Sequence, residues 1–511
     1  MRRSLTDLVA STPAALLARA ALLVCATLLA AGATASAAPA TKELGPDGST
    51  PLQRAVFAGD AAQVKQLLGA GADVKQANDY GVTPMSLAAE TGNTAILQLL
   101  LAAGADVESP TGDGQTALMS VARTGNVEAA TLLIKRGAKV NAAEKFGGQT
   151  ALMWAAARRH PPMVRLLASK GADVNARATV RQFERHITVE QRYKNTHTGG
   201  LTPLLYAVRE NCRACVEELI AARADILLPD PDGIAPLTLA MMNGNWDIAK
   251  RLIDAGADVN QWDIYGQAPL HVAIENAYVS RRGGVANFGS DKTPNSIDGK
   301  DIVRILVEKG ADPNQQMFFR PPKETGQASS GSRGTTPFHR ACAANDIELI
   351  KYLLAHGADI RLHTAHVETP MMLVINGRGR EEEIIATLRV LHDAGADSNA
   401  VQKVMWINRN RGGTALHFAT KKNQRKVMTE LVKSFGANPD IKDEDGLTAL
   451  DYAQSRGWLP ALSTRPGPRE DLVKALRDLG ATVELSKVPD WPGEFPAIGP
   501  PRGHESEILP L

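Results

Sequence analysis

A chain of 511 residues exceeds one ordinary domain of roughly 100–200 residues, so it holds either several cores or one repeated unit. Its 57 basic and 55 acidic residues leave a formal charge of +2, which excludes the chain-wide cationic excess of a generic nucleic-acid binder. With 44% hydrophobic but only 5% aromatic residues, the composition fits many small, closely packed helices and not a disordered chain.

In chain order, Arg2, Arg3 and Arg19 precede an apolar run over residues 20–31 and then a stretch of small residues. This is the layout of a secretory signal peptide, expected over residues 1–37 with cleavage after Ala37 in Ala35-Ser36-Ala37. The apolar run is shorter than the roughly 20 residues of a comfortable membrane span, and Arg19 interrupts a longer one. An uncleaved anchor is the alternative; a lipoprotein reading of Cys25 is set aside because Val24 is not the small residue such a site wants. The mature chain then has no stable membrane span. It keeps Cys212, Cys215 and Cys342, too few to staple the fold, so a core must hold it.

After a linker at residues 38–48 comes a repeat. Thr50-Pro51-Leu52, Thr83-Pro84-Met85 and Thr116-Ala117-Leu118 open segments 33 residues apart, and further openings stand at Thr150, Thr202, Ala235, Ala268, Thr336, Thr369, Thr414 and Thr448. That makes about eleven units over residues 49–483. Proline suits a first helical turn. Gly92, Gly125 and Gly244 break the chain between two helices, and apolar residues such as Val64, Leu67 and Leu68 mark the second helix. Gly71, Gly104, Gly137, Gly171, Gly256, Gly310, Gly357 and Gly395 fall where a helix needs a left-handed C-terminal residue. One unit leaves an apolar face bare, so neighbours must stack.

The pattern resembles the ankyrin repeat, most closely over residues 335–360 and 412–440, where a Thr-Pro-Phe-His or Thr-Ala-Leu-His opening is followed by Gly-Ala. The resemblance implies an all-α ankyrin-repeat solenoid of about eleven helix-turn-helix units with β-hairpin fingers. It implies a structural, hydrogen-bonding role for His271, His339 and His417. With the leader, the chain looks like an exported, bacterial-type member of that family.

Four insertions, at residues 179–198, 278–299, 317–334 and 401–411, interrupt the period, and a solenoid's insertions emerge on its surface. The first alternates Val180, Phe183, Ile187, Val189 and Tyr193 with charged residues and is expected to form an extended β-hairpin. The second separates the two helices of the seventh unit; the third and fourth extend fingers. Arginine beside exposed aromatics is the composition of binding hot spots, so Phe183, Arg185, Tyr193, Phe318, Phe319, Arg320, Trp406 and Arg409 are the candidate partner-binding residues. The alternative is that these aromatics pack over adjacent repeats while the charges solvate the loops. An acidic-faced protein or peptide partner fits the binding reading.

Cys212 and Cys215 form a Cys-x-x-Cys pair at a helix start. A local disulfide, two plain thiols, and redox or metal work are all open, although no thioredoxin-like βαβ pattern surrounds them. His356, His363, His366 and Glu368 span a helix end and a finger rather than one helical face, which argues against a metal site. No phosphate-cradling loop, HExxH or nucleophile elbow occurs in the sequence, so neither catalysis nor a cofactor is implied. Polar Gln53, Arg54, Gln63, Lys65 and Gln66 give the first unit the character of a cap facing water. Residues 484–511, proline-rich with Trp491 and Phe495, cannot continue the solenoid. The expected function is a monomeric, non-catalytic protein-binding scaffold outside the cytoplasm, acting through its concave face and elaborated fingers; the alternative is a thiol-redox or metal-binding protein using Cys212 and Cys215.

Overall fold

The computed structural model describes residues 44–184, 195–279, 294–318, 334–364, 367–402, 413–443, 446–454 and 469–483; for 182–184, 195–198 and 279 it describes the backbone alone. Helices within these residues follow one another in pairs, one pair per unit. Units 1 to 4 are α1 (Pro51–Phe57) with α2 (Ala61–Gly69), α3 (Pro84–Thr91) with α4 (Thr94–Ala102), α5 (Ala117–Thr124) with α6 (Val127–Lys135), and α7 (Ala151–Ala157) with α8 (Pro161–Ser169). Strands β1 (Val180–Glu184) and β2 (Asn195–Gly199) then precede unit 5, α9 (Pro203–Arg209) with α10 (Arg213–Ala221), and unit 6, α11 (Pro236–Met242) with α12 (Trp246–Asp254). Units 7 and 8 are α13 (Pro269–Ile274) with α14 (Gly299–Glu308) and α15 (Pro337–Ala344) with α16 (Ile347–Ala355). The last three are α17 (Pro370–Asn376) with α18 (Glu381–Asp393), α19 (Ala415–Lys421) with α20 (Arg425–Lys433), and α21 (Ala449–Ala453) with α22 (Glu470–Asp478). First helices pack on first helices and second on second, which makes the chain an all-α solenoid.

Local chemistry sets each helix start. Thr83, Thr116 and Thr202 accept the amide of the residue three places on, at 3.0, 3.4 and 3.2 Å, which satisfies one of the four amides a helix leaves unbonded. Units 6 and 7 begin at Ala235 and Ala268, which offer no side-chain cap. In unit 7 the histidine compensates: His271 Nδ1 accepts the Ala268 amide at 3.2 Å, while Nε2 meets the Thr335 carbonyl of the next unit at 3.2 Å. His339 and His417 repeat the device, bonding the Thr336 and Thr414 amides and reaching the Leu362 and Leu447 carbonyls at 3.1 Å. Accepting at Nδ1 leaves the proton on Nε2 to donate across the turn. Gln53 does the same work in unit 1. Its Oε1 accepts the Thr50 amide at 2.6 Å and its Nε2 donates to the Val82 and Gln76 carbonyls, so Gln53 is buried and not, as its polarity suggested, turned to water. Arg54, Gln63, Lys65 and Gln66 are exposed.

The fingers correct another expectation. Among the described residues only β1 and β2 form a strand ladder, antiparallel with Val180 opposite Gly199 and Glu184 opposite Asn195; the remaining fingers carry at most an isolated bridge, Ala143 with Thr150 or Gln402 with Gly413. The reason is length. A finger such as residues 263–267 closes on one side chain: Asp263 accepts the amides of Tyr265 and Gln267, both at 2.9 Å, and Gly266 takes a φ of 76°, leaving no residues for a ladder. Asp230, Asn78 and Asp443 close their fingers alike. At the foot of the true ladder Gly199 has a φ of 84°, and a Cβ there would collide with the Thr179 carbonyl.

Two ties cross from unit to unit on this side. Neighbouring fingers share backbone bonds, such as Lys145 amide to Asp113 carbonyl at 2.8 Å and Ile264 amide to Asp232 carbonyl at 3.1 Å. The asparagine that ends several units is a two-point clamp: Asn260 donates to the Gly310 carbonyl at 2.9 Å and accepts the Asp312 amide at 2.8 Å. Asn314 and Asn399 clamp the following units similarly. Between the first and second helices lies one continuous core, running from Leu52 and Val56 through Leu133, Leu219 and Leu306 to Leu476. Each buried leucine contributes roughly 1.5–3 kcal/mol.

Candidate functional site

Of the residues expected to bind a partner, Phe318 is the one whose side chain is described. The side chain of Phe183, and all of Arg185, Tyr193, Phe319, Arg320, Trp406 and Arg409, lie outside the described residues. Phe318 stands at the start of the third insertion. Its amide donates to the Tyr265 carbonyl at 2.8 Å, and neighbouring Met317, itself buried, bonds both Thr335 and Gly334, so the two ends of the insertion are pinned together. That anchoring turns the Phe318 ring outward, 43% exposed, against Trp262 of the preceding finger, 51% exposed. The rings meet edge to face with centroids 5.3 Å apart, a favoured aromatic geometry. Two large aromatics left this open in contact on adjacent fingers make a small apolar patch.

The carboxyl beside this pair is unusual. Burial raises the Asp263 pKa to about 6, with nearby Asp230 and Asp232 adding in the same direction and the Gln267 and Tyr265 amides opposing. Asp230 is raised for the same leading reason.

A second aromatic set lies on the first helices. Trp154, Tyr206, Phe418 and Tyr452 occupy one repeat position, four residues after the opening Thr. Arg123 sits 6.0 Å from the Trp154 ring centre and pairs with Glu90 at 2.8 Å; Arg209 lies 4.9 Å over Tyr206, whose hydroxyl accepts from Gln149 at 2.7 Å. On the finger side Arg181 covers exposed Phe146 at 3.8 Å and donates to its carbonyl. Sequence reasoning passed over Trp262, Phe146, Trp154 and Tyr206 because each stands inside regular repeat text, where an aromatic reads as core. The shared register of Trp154 and Tyr206 was the available signal.

Unit 7 departs most from the repeat. Directly after α13 the chain takes a π-helical turn, Glu275–Val279, on its way to the second insertion. Its first residue, Glu275, pairs at 2.6 Å with Arg340 of unit 8, whose side chain is fully buried, and Arg340 also contacts the Met317 sulfur at 3.3 Å. The sulfurs of Cys212 and Cys215 are joined, Cys215 fully buried and Cys212 nearly so. Among the described residues no three His, Cys, Asp or Glu side chains gather as metal ligands. His356 and His363 bond the Tyr352 and Thr364 carbonyls instead, and His366 lies outside the described residues. No described helix is long and apolar enough to cross a membrane.

Comparison with known proteins bears on this frame. The family model for ankyrin repeats in three copies matches residues 17–111, 107–178, 204–282 and 296–402, and the single ankyrin-repeat model matches 411–444. The chain is 25% identical over 205 residues to the E3 ubiquitin-protein ligase KEG of Arabidopsis thaliana, covering 38% of this chain and 10% of that one. It is 32% identical over 126 residues to the protein PhlB of Serratia liquefaciens, 24% of this chain and 44% of that one. An ankyrin repeat-containing protein of Schizosaccharomyces pombe is 25% identical over 217 residues, 39% of this chain and 91% of the other. Among solved structures, the ankyrin repeat domain of Bcl-3 has a TM-score of 0.38 at 26% identity, covering 44% of this chain and 94% of that domain. The chain thus spans only a tenth of the first of these relatives.

Proposed function

Since the chain belongs to the ankyrin-repeat family, we propose that it is a non-catalytic protein-binding scaffold exported from the cytoplasm, gripping its partner with its elaborated fingers and its first-helix face. The observation that carries this reading is the exposed Trp262–Phe318 pair. The Phe318 backbone is bonded to the Tyr265 carbonyl of the preceding finger and the two rings brace each other, so little ordering entropy is lost when a partner covers them. Arg181 over Phe146 adds a second anchor, and the arginines of the insertions favour an acidic partner face.

The test is affinity capture with mass spectrometry from the native envelope fraction. Replacing Trp262 and Phe318 together by Ala should remove the captured partner while the unfolding temperature stays within a few degrees, because both residues are about half exposed. A partner retained by the double variant sinks the reading. Export has its own check: N-terminal sequencing of the mature chain should begin at Ala38, and recovery of an uncleaved cytoplasmic chain would reject it.

A further inference from the structure

The second helices of the repeat make one chemical choice again and again at their N-cap. Asp60, Asn93, Asn126 and Asp346 accept the amides of Gln63, Ile96, Ala129 and Leu349 at 2.9, 3.1, 3.1 and 3.0 Å. The position favours an atom that carries negative charge, because unbonded amides and the positive end of the helix dipole converge on it. In unit 5 that atom is sulfur. Cys212 caps α10 and its Sγ accepts the Cys215 amide at 3.2 Å, while the same sulfur is bonded to Cys215. Both cysteines are buried, but not equally: Cys215 is fully enclosed, whereas Cys212, 4% exposed, stands at the wall of an open cavity of about 450 Å³ together with Arg159, Pro161, Arg213, Ala214 and Glu217.

We propose that Cys212 and Cys215 form a thiol–disulfide exchange site whose reactant is a dithiol, a pair of reduced cysteines on a partner protein. A low-pKa thiolate needs a helix N-terminus and nearby cations, and Cys212 has the cap amide, the nine-residue helix α10 and, on the cavity wall, Arg159 and Arg213, the latter paired with Asp247 at 3.2 Å, while Glu217 on the same wall is paired with Arg251 at 2.7 Å. In the exchange a partner thiolate attacks Cys212 Sγ. The Cys212–Cys215 bond breaks, and Cys215 leaves with the electron pair and takes up a proton. The partner's second thiolate then attacks the partner's own sulfur in the mixed disulfide, which releases Cys212 as a thiolate held by the Cys215 amide. Two electrons pass from the partner dithiol, now a disulfide, to the Cys212–Cys215 pair, and each chain does this once. The site stands apart from the finger surface and does not depend on the scaffold reading.

The test uses the full chain carrying Cys25→Ala. Cys342 serves as an inert internal thiol, since burial pushes its pKa up. With dithiothreitol at pH 7 as the probe, maleimide trapping should show the pair opening while the helical circular dichroism is unchanged. In a Cys215→Ala variant the thiolate absorbance should titrate below the ordinary value of about 8.5. At pH 7 that absorbance should be on the order of tenfold that of the same variant unfolded in guanidinium. Arg159→Ala and Arg213→Ala should each move the midpoint upward. A Cys212→Asp, Cys215→Ala double variant, which restores the acidic cap of unit 1, should fold normally and exchange nothing. A bond that opens only as the helices melt, or a Cys212 thiol titrating at 8.5 or above, would overturn the proposal and leave the pair a structural staple.

Discussion

Units 2 and 3 and units 7 and 8 are the same fold built to different ends. The earlier pair keeps the 33-residue step, closes each first helix with a left-handed glycine at Gly92 and Gly125, and buries side chains that are apolar or, like Ser120, small. The later pair carries two insertions, a π-helical turn, a buried arginine and an open aromatic pair. A solenoid tolerates this because each unit answers only to its neighbours; irregularity can concentrate in one stretch without spoiling the rest.

At neutral pH the largest expected difference between the two stretches lies at one register position. Arg340→Ala should destabilise by about 3 kcal/mol, since it leaves Glu275 without its buried partner, whereas Ser120→Ala, the equivalent change in unit 3, should cost under about 1 kcal/mol. Chemical denaturation of both variants decides it; equal losses would mean the ion pair has no special role.

Acid separates the two stretches further as the pH falls. His271, His339 and His417 have pKa values held down by burial to about 3, 4 and 4. Arg340 also lowers the first and His363 the second, while Asp451 opposes burial at the third. Each histidine binds a proton more readily unfolded than folded. Its stabilisation is therefore whole above pH 6.5 and is lost as pH falls from there toward 4, at about 1.4 kcal/mol per pH unit. Asp263 works the other way: with its folded value raised to about 6, it gains a proton in the folded state first and returns part of the loss between pH 6 and 4. All three histidines sit in units 7, 8 and 10, while units 2 to 6 carry Ser86, Met119, Met153, Leu205 and Thr238 at that position. Hydrogen exchange at pH 5 should thus show the later units losing protection before the earlier ones. His339→Gln, which copies the amide that Gln53 places at this position in unit 1, should shrink the difference.

A smaller effect tests finger chemistry. Val367 takes a φ of 58° where other fingers place glycine, its amide bonded to the Thr364 carbonyl at 2.8 Å. A β-branched residue is strained there, so Val367→Gly should raise stability by about 1 kcal/mol after the entropy glycine loses on folding. A fall in the unfolding temperature would show that the valine is comfortable in that turn. Smallest of all, Trp262→Ala should shift stability by no more than about 0.5 kcal/mol while weakening capture of the partner.

The period and the paired helices were legible because each repeats, and repetition separates a rule from an accident; the histidine role came from the resemblance to the ankyrin repeat. Gln53 was misread because residue type says polar, while its amide can do what imidazole does at the same place. The fingers were misread because a hairpin and a side-chain-closed turn carry the same Asp, Asn and Gly signals; only the number of residues between them tells the two apart. Arg340, like Trp262, stands in regular repeat text, and whether a side chain at a given register is covered depends on the neighbouring unit, which here is an irregular one.

The asparagine clamps and finger bonds have a mechanical consequence. Along that edge successive units are joined at points, by one side chain and a backbone bond, whereas the apolar core joins them over a continuous seam. Each joint fastened in this way is set by its own finger contacts, so a ligand that bridges Trp262 and Phe318 would lock the one joint those two fingers span and leave the distant joints as they are.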